Sequence, residues 1–439
     1  MPRRLSVAIT LAVAAAIVLS AGILGARSPW DSTASTTQGA TPALPTSTEQ
    51  PSPSTTQVPA PAVTPASVVA APTPGAPVSG ANRPVVLGYY VPYDATSWVS
   101  FQAQASGLDY LGAQWVNVDA CGNLSSKDDR TLVAYANQRG VKVLPSLLTS
   151  SAWLGHRLLT DPATSERYIS QIVGYVTDLG YPGLDLDMEG LNAEDRDAFS
   201  AFVAKLAAAL HERGKILTMA IPAKTTDVRT GWAGPYDYSV LGKQADLILL
   251  MTYDFSWSSG PPGSIAPQGW VDKVATYAAS QMPPQKVLIG LAFYGYDWNT
   301  TSGGKARAVQ YTQSVALAKQ YSTSIATDDA SRSGSFRYTS RPGDTFPLPP
   351  SIPPLQHDIA ARSAGQCTVR QPTPEPTPSP TPVPTGPQQH VVWLEGAESA
   401  AGRIQIAAQR GLGGIGAWRL GQEDPAVWPL LGDYRLGKR

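Results

Sequence analysis

The sequence predicts an α/β chain whose main body is a (β/α)8 TIM barrel, on three observations. Between residues 84 and 432, eight apolar strand-like runs alternate with helical stretches. The runs are nearly continuous in apolar residues, as a parallel sheet buried on both faces requires. The fourth run, residues 183–190 (GLDLDMEG), departs from this by alternating three acids with three large apolar residues.

In order, the first strand is expected at 85–91, with a helix near 97–105. A second strand at 113–119 (AQWVNVD) leads to a helix at 128–139. A third strand at 142–148 leads to a helix at 164–179, and the acidic strand follows. Beyond it Phe199, Phe202, Val203, Leu206 and Leu210 fall on one face of a helix at 195–213. The fifth strand is expected at 215–222 and the sixth at 245–255 (ADLILLMTYDF), before a helix near 270–280. The seventh lies within 285–298. A helix at 397–410, the eighth strand at 413–420 (GGIGAWRL) and a short helix at 425–431 complete the barrel.

The seventh unit is enlarged, with roughly 95 residues between Asn299 and Glu395 where a few would close a loop. Residues 335–339 (SFRYT) and 390–394 (HVVWL) read as paired strands of an inserted α+β subdomain spanning 299–395. The Pro-rich tract 371–387 within it reads as an exposed polyproline-type extension.

Arg3 and Arg4 precede an uncharged run of about 22 residues, long enough to span a bilayer. Residues 1–27 are therefore expected to be an export signal retained as an anchor, with a cleaved signal peptide as the alternative. Residues 28–82, rich in Pro, Thr and Ser, read as a disordered stalk. The barrel, 83–439, would then lie at the outer face of the membrane, or be secreted.

Lys+Arg and Asp+Glu both count 33, so the net charge of zero argues against nucleic acid or an anionic surface as the main partner. Eleven tryptophans and eighteen tyrosines against seven phenylalanines favour amphipathic rings, which serve sugar stacking as well as core packing. The two cysteines and four histidines show no zinc-ligand spacing, and no metal or cofactor is expected. A Cys121–Cys367 disulfide stays open, because the chain alone does not say how far apart the two lie.

On the acidic strand, Asp185, Asp187 and Glu189 share one face, and Leu184, Leu186 and Met188 the other. Crowded carboxylates raise the proton affinity of at least one member, which suits a general acid near neutral pH. A solvated edge strand or a cation site would carry the same alternation.

Together with this stretch, three further motifs stand in order: MTYDF at 251–255, LAFYGYDW at 291–298 and GIGAW at 414–418. With them the chain resembles glycoside hydrolase family 18, the chitinase and N-acetylglucosaminidase group. The family signature spaces three aspartates and a glutamate, and Asp185, Asp187 and Glu189 match its last three acids. Pro182 stands where the first aspartate would be. That aspartate tunes the next carboxylate from behind, so the departure implies weakened rather than abolished catalysis. The ending WRLGQEDPAVW (418–428) and the inserted hairpin are closer to the spore-cortex and peptidoglycan glucosaminidase branch.

The resemblance implies substrate-assisted, retaining hydrolysis of β-linked N-acetylglucosamine glycans. It makes Glu189 the general acid and then base, Asp187 the group that orients the substrate acetamide, and Asp185 its support from beneath. Tyr253 would donate to the acetamide carbonyl, and Trp418 would floor the sugar subsite. Asp254 would contact sugar or pair with a loop arginine. Tyr90, Met251 and Tyr294 complete the expected substrate contacts, while Tyr89, Trp115 and Trp298 also fall near strand ends. Asp119 ends the second strand and is expected to cap the following turn rather than touch sugar. The expected partner is an N-acetylglucosamine-containing polysaccharide, the expected state a monomer. A barrel that binds glycan without turnover is the alternative.

Overall fold

The computed structural model describes residues 83–372 and 385–438. The expected anchor and stalk, and most of the Pro-rich tract, lie outside the described residues. Among the described residues, no helix is long and apolar enough to cross a membrane.

Strands β1 (Val85–Tyr90) and β2 (Tyr110–Val118) are followed by β3 (Leu124–Asp129), which folds back antiparallel on β2. Then come β4 (Lys142–Thr149), β5 (Gly183–Met188), β6 (Ile216–Pro222), β7 (Leu247–Met251) and β8 (Val287–Ala292). In the enlarged seventh unit lie β9 (Tyr294–Asn299), β10 (Arg307–Gln310), β11 (Ala326–Thr327), β12 (Gly334–Ser340), β13 (Ile359–Arg362) and β14 (Gln388–Leu394). The last strand is β15 (Gly414–Trp418). The parallel order β1-β15-β8-β7-β6-β5-β4-β2, closed by β1 on β2, is an eight-stranded barrel in which β5 is fourth. The fold class and the rank of the acidic strand are as the sequence predicts.

Helices α1 (Ala95–Gln104) to α5 follow the first strands: α2 (Arg130–Gln138), α3 (Ala152–Thr160), α4 (Pro162–Asp178) and α5 (Arg196–His211). They pack apolar faces on the strands, with Leu184 and Leu186 meeting Tyr168, Phe199 and Phe202 in one core. The start of α4 shows why a helix begins there. Asp161 accepts from the Thr164 amide at 2.8 Å, and Pro162 occupies the first turn, where its missing N–H costs nothing.

Two boundaries differ from expectation. The helix expected from Asp128 starts at Arg130, because Asp128 still belongs to β3 as a buried acceptor for the Tyr175 and Tyr181 hydroxyls, and Asp129 ends the strand and caps the helix. The sixth strand ends at Met251, so Thr252–Phe255 form a turn rather than strand. The Thr252 amide bonds back to the Leu250 carbonyl, and Asp254 takes φ 58°.

The insertion is a separate sheet in the order β10-β9-β14-β12-β11. The expected pairing of the SFRYT and HVVWL strands is present, with Arg337 opposite Val391. Helix α8 (Tyr311–Gln320), after α6 (Tyr238–Gln244) and α7 (Gln268–Gln281), covers one face of this sheet through Leu317, Phe336, Tyr338 and Val392. From β12 the chain runs back to the barrel. There β13 pairs with β3, and Cys367 forms a disulfide with Cys121. Helices α9 (Ala397–Gln409) and α10 (Val427–Arg435) close the outer layer.

Candidate active site

The acids stand at the C-terminal mouth of the barrel, where such barrels place their chemistry. Strand parity turns Asp185 and Asp187 inward, and Glu189 extends just past the strand, its amide bonded to the Thr149 carbonyl of β4 at 2.6 Å. Gly190 then turns at φ 67°, so close to Ser150 that an added Cβ would lie 2.9 Å from its carbonyl oxygen.

Asp185 is fully buried and accepts three hydroxyls: Thr218 at 2.7 Å, Ser146 at 2.8 Å and Tyr89 at 3.3 Å. Burial still raises its proton affinity, against these bonds. Pro182 lies three residues earlier, about 10 Å down the strand, where its carbonyl accepts from the Ile216 amide. The polar support behind Asp185 therefore comes from the adjacent strands β4 and β6 and from β1 across the barrel, and not from position 182.

Asp187 is buried and hydrogen-bonded to Glu189, yet its Oδ1 has no partner. Burial first, then the charges of Glu189 and Asp185, hold its carboxyl well above the ordinary carboxylate range. Burial pushes Glu189 up to about 7, opposed by its bond to Asp187 and reinforced by the charge of Asp254. Burial therefore leaves the pair holding a proton where ordinary carboxylates have lost theirs.

Around the pair, Tyr253 packs over Gly290, where a Cβ would lie 2.9 Å from its ring, and edge-on to Tyr294 at 6.3 Å. Burial and the surrounding carboxylates raise the Tyr253 hydroxyl well above its usual value, so it is a donor at any working pH. Among the described residues Asp254 has no arginine partner, and the charge of Lys305 acts on it against the effect of burial. Its Oδ1 accepts the Tyr294 hydroxyl at 2.6 Å and the Tyr296 hydroxyl at 3.1 Å, both from β9 of the insertion. Trp418 ends β15 half-buried and tilted on Tyr89 at 5.5 Å, and Met251 ends β7 against the same cluster.

Not every expected residue reaches this mouth. Tyr90 is fully buried in the outer core, edge-on to Trp115, so it does not face the cleft. Trp115 is buried too, donating to the Tyr175 hydroxyl. Trp298 is buried and donates to the Gly260 carbonyl. Asp119 caps its turn, accepting from the amides of Cys121 and Asn123 at 2.9 Å. Conversely, sequence patterns passed over Ser146, Thr218 and Tyr236. Tyr236 donates to the Met188 carbonyl at 2.7 Å, bracing the backbone between Asp187 and Glu189. Its only sequence signal is a tyrosine in the loop after the fifth barrel strand.

Comparison with known proteins shows the family and the fold. The sequence model described as Glycosyl hydrolases family 18 matches residues 85–423. The chain is 29% identical to the cortical fragment-lytic enzyme of Bacillus subtilis over 335 residues, covering 74% of this chain and 68% of that protein. Its fold is similar to the spore cortex-lytic enzyme SleL of Bacillus cereus, with a TM-score of 0.64 and 25% identity over 81% of this chain and 75% of that one. A chitinase from Chromobacterium violaceum shares the fold with a TM-score of 0.66 at 24% identity, covering 81% of this chain and all 100% of that one.

Proposed function

We infer the function from one premise: this chain belongs to glycosyl hydrolases family 18. It is a glycosidase acting on glycans that contain N-acetylglucosamine. Our assignment of roles goes further and rests on the unpartnered, buried Oδ1 of Asp187 beside a proton that Glu189 keeps to about 7.

In this mechanism Glu189 protonates the glycosidic oxygen while the carbonyl oxygen of the substrate's own 2-acetamido group attacks the anomeric carbon. Asp187 Oδ1 accepts the acetamide N–H, fixing the attack geometry, and its charge stabilises the positive oxazolinium ring that forms. The Tyr253 hydroxyl donates to the acetamide oxygen. Glu189, now ionised, takes a proton from water, which opens the ring with net retention. Asp185 holds Asp187 from beneath through its own three-hydroxyl socket. Trp418 and Met251 give the sugar an apolar floor, and Tyr294 works at one remove by holding Asp254. The proton retained by Glu189 supports turnover rather than glycan binding alone.

Peptidoglycan is the substrate class we favour, because the cortical fragment-lytic relative aligns over most of the barrel. We place the barrel outside the cell, held by the N-terminal segment. The Cys121–Cys367 disulfide supports an oxidising compartment. Protease accessibility on intact cells tests that placement, and protection of the barrel until lysis would overturn it. Incubating the purified protein with peptidoglycan and with chitooligosaccharides, with products identified by mass spectrometry, tests the function. Cleavage of peptidoglycan, lost in Glu189→Gln, is expected. Products from chitooligosaccharides alone would replace the substrate, and products that persist in Glu189→Gln would remove the mechanism.

A further inference from the structure

Strand β9 has two chemically different faces. Tyr294, Tyr296 and Trp298 point one way, into the aromatic cluster that meets Tyr253 and Trp418. Asp297 and Asn299 point the other way, toward the face that α8 covers. On that second face three strands bring together residues far apart in sequence. His390 of β14 meets Asp297 Oδ1 through Nδ1 at 2.8 Å, and its Nε2 lies 3.2 Å from Ser340 Oγ at the end of β12. Asp297 is buried, and its Oδ2 accepts the Tyr338 hydroxyl at 2.8 Å. The imidazole lies flat on the Tyr338 ring, centroids 4.5 Å apart, and Tyr321 stacks on Tyr338 at 4.4 Å.

We propose that Ser340, His390 and Asp297 form a second catalytic centre, a nucleophilic triad that hydrolyses small acyl esters such as O-acetyl groups on glycan hydroxyls. The order of contacts is the one nucleophilic catalysis needs: a buried carboxylate on Nδ1 fixes the tautomer, leaving Nε2 to take the proton of the serine hydroxyl. Here Asp297 has two donors and the imidazole a stacked partner, whereas Ser340 is half-exposed where β12 runs out into the turn at Arg341. Gln388, directly across the ladder from Ser340, is held away from the serine by the Asn299 amide and by its own bonds to the Gly386 and Pro387 carbonyls.

The reaction balances with water as the only co-reactant. Ser340 Oγ attacks the ester carbonyl carbon as Nε2 accepts its proton. The bond from that carbon to the glycan oxygen breaks, and Nε2 returns the proton to the leaving oxygen. Water repeats the sequence on the acyl-serine, releasing the free acid and the serine hydroxyl. An ester on a polymer suits a nucleophile at the surface, because the leaving glycan stays in solvent.

The test uses the whole protein with p-nitrophenyl acetate and with O-acetylated peptidoglycan, following acetate release, together with fluorophosphonate labelling. Label on Ser340 and at least a hundred-fold loss of ester hydrolysis in Ser340→Ala and in His390→Asn are expected, with glycan cleavage unaltered in both. Glu189→Gln should lose glycan cleavage and keep ester hydrolysis, so the two centres fail separately. Absence of label from Ser340 would overturn the proposal. Ester hydrolysis in Ser340→Ala equal to the parent would do the same, if its melting curve shows that it is folded.

Discussion

Two carboxylate centres sit on strands of this molecule and are used in opposite ways. On β5, Asp185 and Asp187 share a face with Glu189 at its end; burial raises the proton affinity of all three, and at Asp187 the charges of Glu189 and Asp185 add to it. On β9, Asp297 faces an imidazole and a phenol, and its charge is spent orienting a base. Within β5 the same contrast appears between neighbours. Asp185 has three hydroxyl donors, whereas Asp187 keeps one oxygen free. The socket of Asp185 is satisfied by the protein, whereas the free oxygen of Asp187 is the acceptor our proposal gives to substrate.

The largest break in that comparison should come from Glu189→Gln, which removes the proton donor of the proposed mechanism. A drop in kcat of about a thousand-fold is expected. A loss under ten-fold would show that the crowded strand is not the acid. Asp187→Asn should cost about a hundred-fold by removing the anion that stabilises the oxazolinium. The same change takes away a charge that repels the Glu189 carboxylate, although their hydrogen bond acts the other way.

The pH dependence sharpens the comparison. In the parent, glycan cleavage should fall as pH rises through about 7, because Glu189 must carry its proton. A plateau continuing to pH 9 would contradict the assigned acid. Stability carries the same sign. A carboxyl whose proton affinity is raised by folding contributes fully below the ordinary glutamate value, and that contribution is lost as pH rises through about 7. Glu189→Gln mimics the protonated acid, so it should melt about 4 °C above the parent at pH 8 and level with it at about pH 3, below the ordinary glutamate value. Equal melting at both values in calorimetry would show that burial does not hold this proton.

The smallest effect on activity should come from opening the staple that brings the insertion back to the barrel. Cys121→Ser with Cys367→Ser should lower unfolding free energy by about 2–4 kcal/mol in denaturant titrations. Since the disulfide joins the end of β2 to the segment after β13 and touches none of the acids, kcat should stay within two-fold. A kcat loss as large as that of Asp187→Asn would mean that the staple sets the cleft.

Much of the barrel was legible because burial on both faces leaves a composition signal in every strand. The acid strand was legible because alternation survives in one dimension. Where the sequence misjudged, relative information was available but absolute placement was not. Period-two alternation says that Tyr89 and Tyr90 point to opposite sides, but not which side is the cleft. The structure turns Tyr89 to Asp185 and sends Tyr90 outward to Trp115. The turn at Asp254 was hidden for a similar reason. MTYDF reads as strand, yet the chain leaves the sheet at Met251, and two tyrosines of the insertion hold the aspartate.

By itself, then, the sequence determined the barrel, its enlarged seventh unit, the rank of the acidic strand and the face its carboxylates share. These depend on periodicity and local order, which a linear chain carries. Tertiary structure alone decided what surrounds each acid: the hydroxyl socket of Asp185, the free oxygen of Asp187, the brace from Tyr236 and the closing of Cys121 on Cys367. It also decided the meeting of Asp297, Ser340 and His390. Their partners lie 41 to 93 residues apart, and only strand pairing fixes which side chains meet across such gaps.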